Sequence, residues 1–273
     1  MTNIKIEHLT FGYDQLGTLL FDDAQLNISA DWKLGLVGRN GRGKTTLLNL
    51  LQEKLPYQGQ ITHQLEMNYF PKEINDPTQL TYYVLSEEKE LEIWKLEREL
   101  TLMGCHLDIL WRPFSTLSGG EQTKVLLALL FLDDQSFPLI DEPTNHLDIK
   151  GRQQVAEYLG KKRQGYILVS HDRTFLDQTV DHILAIEKSQ LILYHGNFSI
   201  YEDQKAQRDA YEQAQNDKLK KEITRLQKTA KEKAEWSNSR EKDKMNKPKG
   251  WIDTEYRRVS PGAIGADAAR MMK

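Results

Sequence analysis

A twelve-residue stretch, Val37 to Leu48 (VGRNGRGKTTLL), constrains this chain more than any other. Gly38, Gly43, Lys44 and Thr45 fit the phosphate-loop spacing G-x-x-x-x-G-K-[ST]. Apolar Leu34 to Val37 before it reads as a short buried strand, and Thr45 to Gln52 after it as the first turns of a helix. The glycines let the backbone curl until several N–H groups point inward. The helix adds the positive end of its dipole, so the turn is a cradle for a polyphosphate. Lys44 then reaches the β and γ phosphates and the Thr45 hydroxyl meets Mg²⁺, with Arg39, Asn40, Gly41, Arg42 and Thr46 completing the cradle. A glycine-rich turn between strand and helix also occurs for purely structural reasons, so the rest of the chain has to decide.

At 273 residues, 39% of them apolar, the chain has material for one domain of about 200 residues plus an appendage. Its longest apolar run, Val125 to Leu132, falls short of the roughly 18 residues of a membrane span. The opening MTNIKIEHLT lacks the basic-then-apolar layout of a signal peptide. A single cysteine, Cys105, excludes an internal disulfide, suits a reducing cytoplasm and reads as a small hydrophobe. Charge is uneven: residues 1–217 carry 21 Lys and Arg against 32 Asp and Glu, whereas residues 218–273 carry 16 against 8. A basic tail on an acidic body points to a polyanion, and a solvated helical face accounts for it equally well.

Ile4, Ile6 and, after a break, Leu9 and Phe11 alternate with polar residues as in a half-exposed antiparallel strand, and LLFDDAQLNIS repeats the pattern beyond a turn at Gly17. Tyr13, at the end of the first strand, suits contact with an adenine ring; an exposed turn tyrosine fits the same spacing. After the loop helix, PYQG turns the chain into one alternating segment, ITHQLEMNYFP, that ends at Pro71. Asp76 to Phe114 is mostly helical, with Leu91, Trp94, Leu100 and Leu107 near helical spacing and Glu/Lys pairs on the outer face. This reads as a separate helical subdomain.

In LSGGEQ, Ser118, Gly119 and Gly120 open an apolar helix and form a second loop-to-helix anion site. A plain cap by Ser118 explains the serine without requiring both glycines. The run FPLI ends in Asp141 and Glu142, which puts one carboxylate where it can hold Mg²⁺ and the next where it can orient an attacking water. Pro138 removes a ladder donor and is expected at the first residue of that strand. Another apolar run, Tyr166 to Val169, ends in Ser170 and His171, and the histidine can contact a γ-phosphate or serve as a cap. HILAIEKSQLILYH reads as a hairpin through Glu187 to Gln190.

Taken in order, GRNGRGKTT, LSGGEQ, DEPTNHLD and VSHDRTFLD resemble the nucleotide-binding domain of ATP-binding cassette proteins. The resemblance implies an α/β P-loop NTPase cassette over residues 1–200, with a RecA-like core, an antiparallel β subdomain and a helical subdomain at about 76–132. It implies ATP and Mg²⁺ as cofactors, with Lys44, Glu142 and His171 in catalytic roles and Thr45 and Asp141 at the metal. Two cassettes then pack head to tail, with ATP between the phosphate loop of one and Ser118 and Gly120 of the other. DEPTNHLD, VSHDRTFLD and GNFSIY before a long charged helix are similar to the ABC-F subfamily, soluble cytoplasmic proteins with tandem cassettes that act on ribosomes. TLLNLL, YYVL, WKLERELTLM and GAIGA resemble its Lsa-type antibiotic-resistance members. Two departures stand out: Lys72 takes the place of a glutamine that commonly touches the metal or the water, and the chain stops at Lys273 before a second cassette, which reads as a truncation.

Residues 201–236 contain no Pro or Gly, and Leu219, Ile223, Leu226 and Ala230 step by four, three and four. This predicts a helix of about 54 Å with a narrow apolar seam for an antiparallel partner, the segment after Gly262 being the candidate. The stretch between mixes Pro and Gly with Trp251, Tyr256, Arg257 and Arg258, which suits rRNA contact or a disordered loop. By the resemblance, residues 201–273 are an interdomain linker that reaches the peptidyl-transferase region beside the exit-site tRNA. The competing expectation is the ATP-hydrolysing subunit of a membrane transporter, which has no need of that helix.

Overall fold

The computed structural model describes residues 3–13, 17–87, 91–133 and 135–245, with side chains described as far as 239. The N-terminal alternation becomes β1 (Asn3–Gly12), in which Ile4, Ile6, Leu9 and Phe11 are buried. The break in the pattern is a bulge: register with β2 (Leu19–Ser29) shifts between Ile6 and Leu9, and His8 adopts φ 52° there. The extra residue returns Leu9 to the inner face.

Strand β3 (Lys33–Val37) and helix α1 (Lys44–Leu51) flank the glycine loop. The run expected as one alternating segment is two strands in two different sheets. β4 (Gln58–Thr62) pairs with β1, whereas β5 (Glu66–Phe70) joins the larger sheet. Between them His63 Nδ1 hydrogen-bonds Leu65 O (3.0 Å), in the short link that carries the chain from one sheet to the other.

The helical insert holds α2 (Thr81–Leu85), α3 (Ile93–Leu102), two 3-10 turns and α4 (Gly119–Leu130). Its buried stripe is Leu96, Leu100 and Met103: of the expected set Leu100 is buried and Leu91 packs against the core, whereas Trp94 and Leu107 are exposed. Lys95 and Glu92 pair on the outside as expected, but Glu99 lies in the stripe and is buried. Helical spacing identifies residues that share a face, and an acidic residue on that face hid which side meets the core.

After the insert come β6 (Ser136–Asp141), α5 (Ile149–Lys161), β7 (Tyr166–Val169), α6 (Arg173–Thr179), β8 (His182–Glu187) and β9 (Gln190–His195). Pro138 is the third residue of β6, not the first. It pairs opposite Asn68 of β5, and the ladder with β7 begins one residue later, at Leu139. Lys188 (φ 49°) and Ser189 (φ 65°) close β8 onto β9 in the turn expected there.

The sheets are β2-β1-β4, antiparallel, and β5-β6-β7-β3-β8-β9, parallel except for β9. Side chains of α1, including Leu47 and Leu50, pack with Ile4, Phe21 and Leu36 in one apolar cluster, while α4, α5 and the insert form a second. The loop after β3 therefore opens beside the carboxyl ends of β7 and β6, the edge where parallel sheets hold their ligands.

Two compact units divide between Gln204 and Lys205. Helix α7 (Phe198–Met245) is longer than expected, and in the second unit Leu219, Ile223 and Leu226 are each more than half exposed. The expected partner segment after Gly262, and Trp251, Tyr256, Arg257 and Arg258, lie outside the described residues. Among those described, no helix is long and apolar enough to cross a membrane.

Candidate functional site

Gly43 caps α1 in the left-handed region (φ 95°), a backbone that favours glycine, and a Cβ there would lie close against the Phe21 ring at 3.3 Å. No acidic side chain of α1 itself occupies its first turn; the anion at its positive end is the Asp141 carboxylate, brought from another strand. Lys44 Nζ donates to Gly38 O (3.0 Å) and Asn40 Oδ1 (3.4 Å), folding the ammonium over the loop's own oxygens. Arg39, Asn40, Gly41 and Arg42 form the exposed tip, and Thr46 is buried under it.

Asp141 ends β6 facing α1. Its Oδ2 accepts from Thr45 Oγ1 at 2.7 Å and from Tyr69 Oη at 3.2 Å. Burial, then the Asp141 charge and this hydrogen bond, push the Tyr69 phenol up to about 12, so it stays a donor. Glu142 follows with φ 51° and donates its N–H to Val169 O at 2.9 Å, which turns its side chain off the strand end. Its Oε2 accepts from the His171 backbone N–H (3.3 Å). The His171 imidazole stands 3.4 Å from Oε1, an electrostatic contact that leaves Oε1 a buried acceptor without a hydrogen bond. Burial pushes the Glu142 carboxyl above its ordinary value, against the pull of His171 and Lys44.

Tyr13 reaches this group from β1: its hydroxyl is 3.2 Å from Thr46 Oγ1, and its ring, edge-on to Phe11, is 42% exposed. Ser118 stands elsewhere, at the start of α4. It forms a capping box with Glu121, whose Oε2 accepts from both Ser118 N and Ser118 Oγ at 2.7 Å. Of the two glycines that a cap left unexplained, Gly119 has a packing reason: a Cβ there would lie 3.1 Å from the His146 Cβ, whereas one on Gly120 would meet only ordinary contact, 3.4 Å from His146 O. Gly119, Lys72, Asp141, Glu142 and His146 share a cavity of about 290 Å³. Cys105 is partly buried against the larger cluster, which raises its thiol.

Sequence reasoning passed over Tyr69, read only as a strand residue, and the buried group of Glu99, Tyr158 and Lys162. The one signal for the second was a carboxylate in register with Leu96, Leu100 and Met103.

The fold is that of an α/β ATP-binding cassette. Residues 21–145 match the family described as ABC transporter. The chain is 31% identical to ABC transporter F family member 2 of Arabidopsis thaliana over 207 residues, covering 72% of this chain and 30% of that protein. It is 32% identical to the ribosome protection protein VmlR of Bacillus subtilis over 248 residues, covering 90% and 42%. With Protein GCN20 of Saccharomyces cerevisiae it shares 31% over 207 residues, covering 73% and 27%. It thus spans less than half the length of these relatives. Two solved structures share the fold. One is a bacterial Atm1-family ABC exporter with ATP bound (TM-score 0.62, 16% identity, 74% of this chain and 40% of that one). The other is a dimeric cassette in a post-hydrolysis state bound to ADP and Pi (TM-score 0.59, 17% identity, 70% and 98%).

Proposed function

We propose that this chain is an ABC-F-type cassette that binds ATP with Mg²⁺ in the cytoplasm and acts on the ribosome. The observation that carries the reading is the extent of the match to VmlR: 90% of the chain runs past the 204 residues of the first unit into the charged helix. A transporter cassette would need only that first unit, and the exporter likeness covers 74% of the chain.

The residues suit the nucleotide and its metal. A hydroxyl and a carboxylate stand 2.7 Å apart at the foot of a glycine loop, and an ammonium now spent on the Gly38 carbonyl and the Asn40 side chain can turn to phosphate. Lys44 grips the β and γ phosphates, and Thr45 and Asp141 hold Mg²⁺, which when bound neutralises phosphate charge. Arg39, Asn40, Gly41, Arg42 and Thr46 line the cradle, and Tyr13 lies against the adenine. Glu142 Oε1, buried and lacking a donor, suits a water positioned for attack, and the His171 imidazole contacts the γ-phosphate. Ser118, Gly119 and Gly120 act on the nucleotide of a second cassette. A second copy of this chain or another cassette would supply it. Closure on ATP then presents the second unit to rRNA or tRNA, and hydrolysis releases it. Protection against large-subunit antibiotics of the Lsa type follows from that insertion.

The test is co-sedimentation of the protein carrying Glu142→Gln with ribosomes and, separately, with membranes. Pelleting with ribosomes in ATP but not ADP is expected. Pelleting with membranes alone would favour the transporter subunit.

A further inference from the structure

We propose that Tyr69 is a positioning residue for the metal site, its hydroxyl holding the Asp141 carboxylate in one orientation whether or not the cation is present. This rests on the Mg²⁺ reading above.

Tyr69 lies on β5 opposite Leu139 of β6, two residues before Asp141, so its ring leans along the neighbouring strand to reach the carboxylate. Its hydroxyl and that of Thr45 converge on the same oxygen, Oδ2, at 3.2 and 2.7 Å. Two donors from different elements, β5 and α1, fix the rotation of a carboxylate that one would leave free to swing. They differ in what else they do. Thr45 sits in the phosphate loop and is itself a candidate ligand, so its bond to Asp141 changes when a cation arrives. Tyr69 is on a strand of the sheet and has no such second duty.

The ring is held independently of its hydroxyl. It packs against the apolar cluster under α1, and Lys54 Nζ lies 5.4 Å from its centroid. Tyr69→Phe therefore keeps the packing and the cation contact and removes one hydrogen bond. Groups that orient a metal ligand typically change metal affinity by about 10- to 100-fold when removed.

The experiment is a Mn²⁺ titration of the full chain followed by electron paramagnetic resonance, with a non-hydrolysable ATP analogue present. Metal-free binding of the analogue and Tm are measured alongside. Tyr69→Phe is expected to weaken Mn²⁺ about tenfold, with analogue binding unchanged and Tm moved by less than about 2 °C. Asp141→Asn serves as the reference and is expected to weaken Mn²⁺ further. If Asp141→Asn loses Mn²⁺ while Tyr69→Phe binds it as the unmodified chain does, Tyr69 only packs and the inference is overturned, with the metal reading intact. If Asp141→Asn also binds Mn²⁺ normally, the metal reading fails and takes the inference with it. A Tyr69→Phe loss that comes with a matching fall in Tm and analogue binding assigns the hydroxyl to folding, which equally overturns it.

Discussion

Glu99 of α3 and Lys162, the residue that ends α5, form an ion pair inside the first unit, with the glutamate side chain only 1% exposed. Tyr158 Oη donates to the same carboxylate oxygen at 2.7 Å and Arg98 Nη2 to the other at 2.8 Å. The lysine ammonium also lies over the rings of Tyr158 (4.4 Å) and Phe131 (4.8 Å). This cluster pins the helical insert to the core helix and so helps to set where α4 and Ser118 stand.

Removing Glu99 alone takes away the carboxylate that the half-buried Lys162 and the buried Tyr158 phenol share. Glu99→Ala should cost about 3–5 kcal/mol in urea unfolding, and the pair Glu99→Leu with Lys162→Met should recover most of it. Burial raises the Glu99 carboxyl, but hydrogen bonds from Lys162, Tyr158 and Arg98 outweigh that and hold it below its ordinary 4.5. The contribution is therefore present above that value and fades as pH falls through the lowered one. Unmodified protein should lose more stability on acidification than the double variant does.

Lys44→Ala removes the cation that the loop folds over. Charged hydrogen bonds of this kind contribute about 1.5–3 kcal/mol, so ATP affinity by calorimetry should fall about 10- to 100-fold. Because Lys44 is only partly buried, Tm without nucleotide should change little. A variant that kept its ATP-dependent Tm rise would remove the loop from the proposed site.

Glu142→Gln should slow ATP hydrolysis by about 10²–10⁴-fold while leaving binding in place. The raised carboxyl puts the acid limb of the rate above the ordinary glutamate value of 4.5, and the variant should lose that limb. The sign for stability is opposite to that of Glu99. A raised carboxyl favours the folded state at low pH, and that advantage is lost as pH rises through its value, so Glu142→Gln should melt higher than the unmodified chain at pH 7.

Residues 218–273 carry 16 basic against 8 acidic side chains. If they neutralise roughly four phosphates, RNA affinity should drop on the order of a hundredfold between about 50 and 200 mM salt. Deletion of the segment should flatten that dependence in a filter-binding assay. An unchanged slope would assign the charge to a solvated helix face.

The phosphate loop was legible because its geometry is local: Gly38 to Lys44 span seven residues, and Gly43 is selected by the backbone of its own position, φ 95°. The strand alternation of Ile4, Ile6, Leu9 and Phe11 was legible for the same reason, down to the break that became a bulge. Ordered motifs likewise announced Asp141, Glu142 and His171 as a group, and the fold brings Asp141 to Thr45 across 96 residues of chain.

Periodicity ranks the faces of a helix but holds no information on what lies opposite, so nothing in it set Glu99 apart from the outer Glu/Lys pairs before Lys162 and Tyr158 stood beside it. Alternation likewise ran across His63 to Leu65 without revealing that the chain changes sheets there. Tyr69 became a partner of Asp141 only once β5 lay in register beside β6, and Gly119 of the LSGGEQ stretch found its packing reason only against His146. The amino-acid order by itself determined the loop, the strands and the cast of polar residues, since those follow from neighbours a few positions away. Which of them touch was decided by strand pairing and burial, which join residues that no local pattern relates.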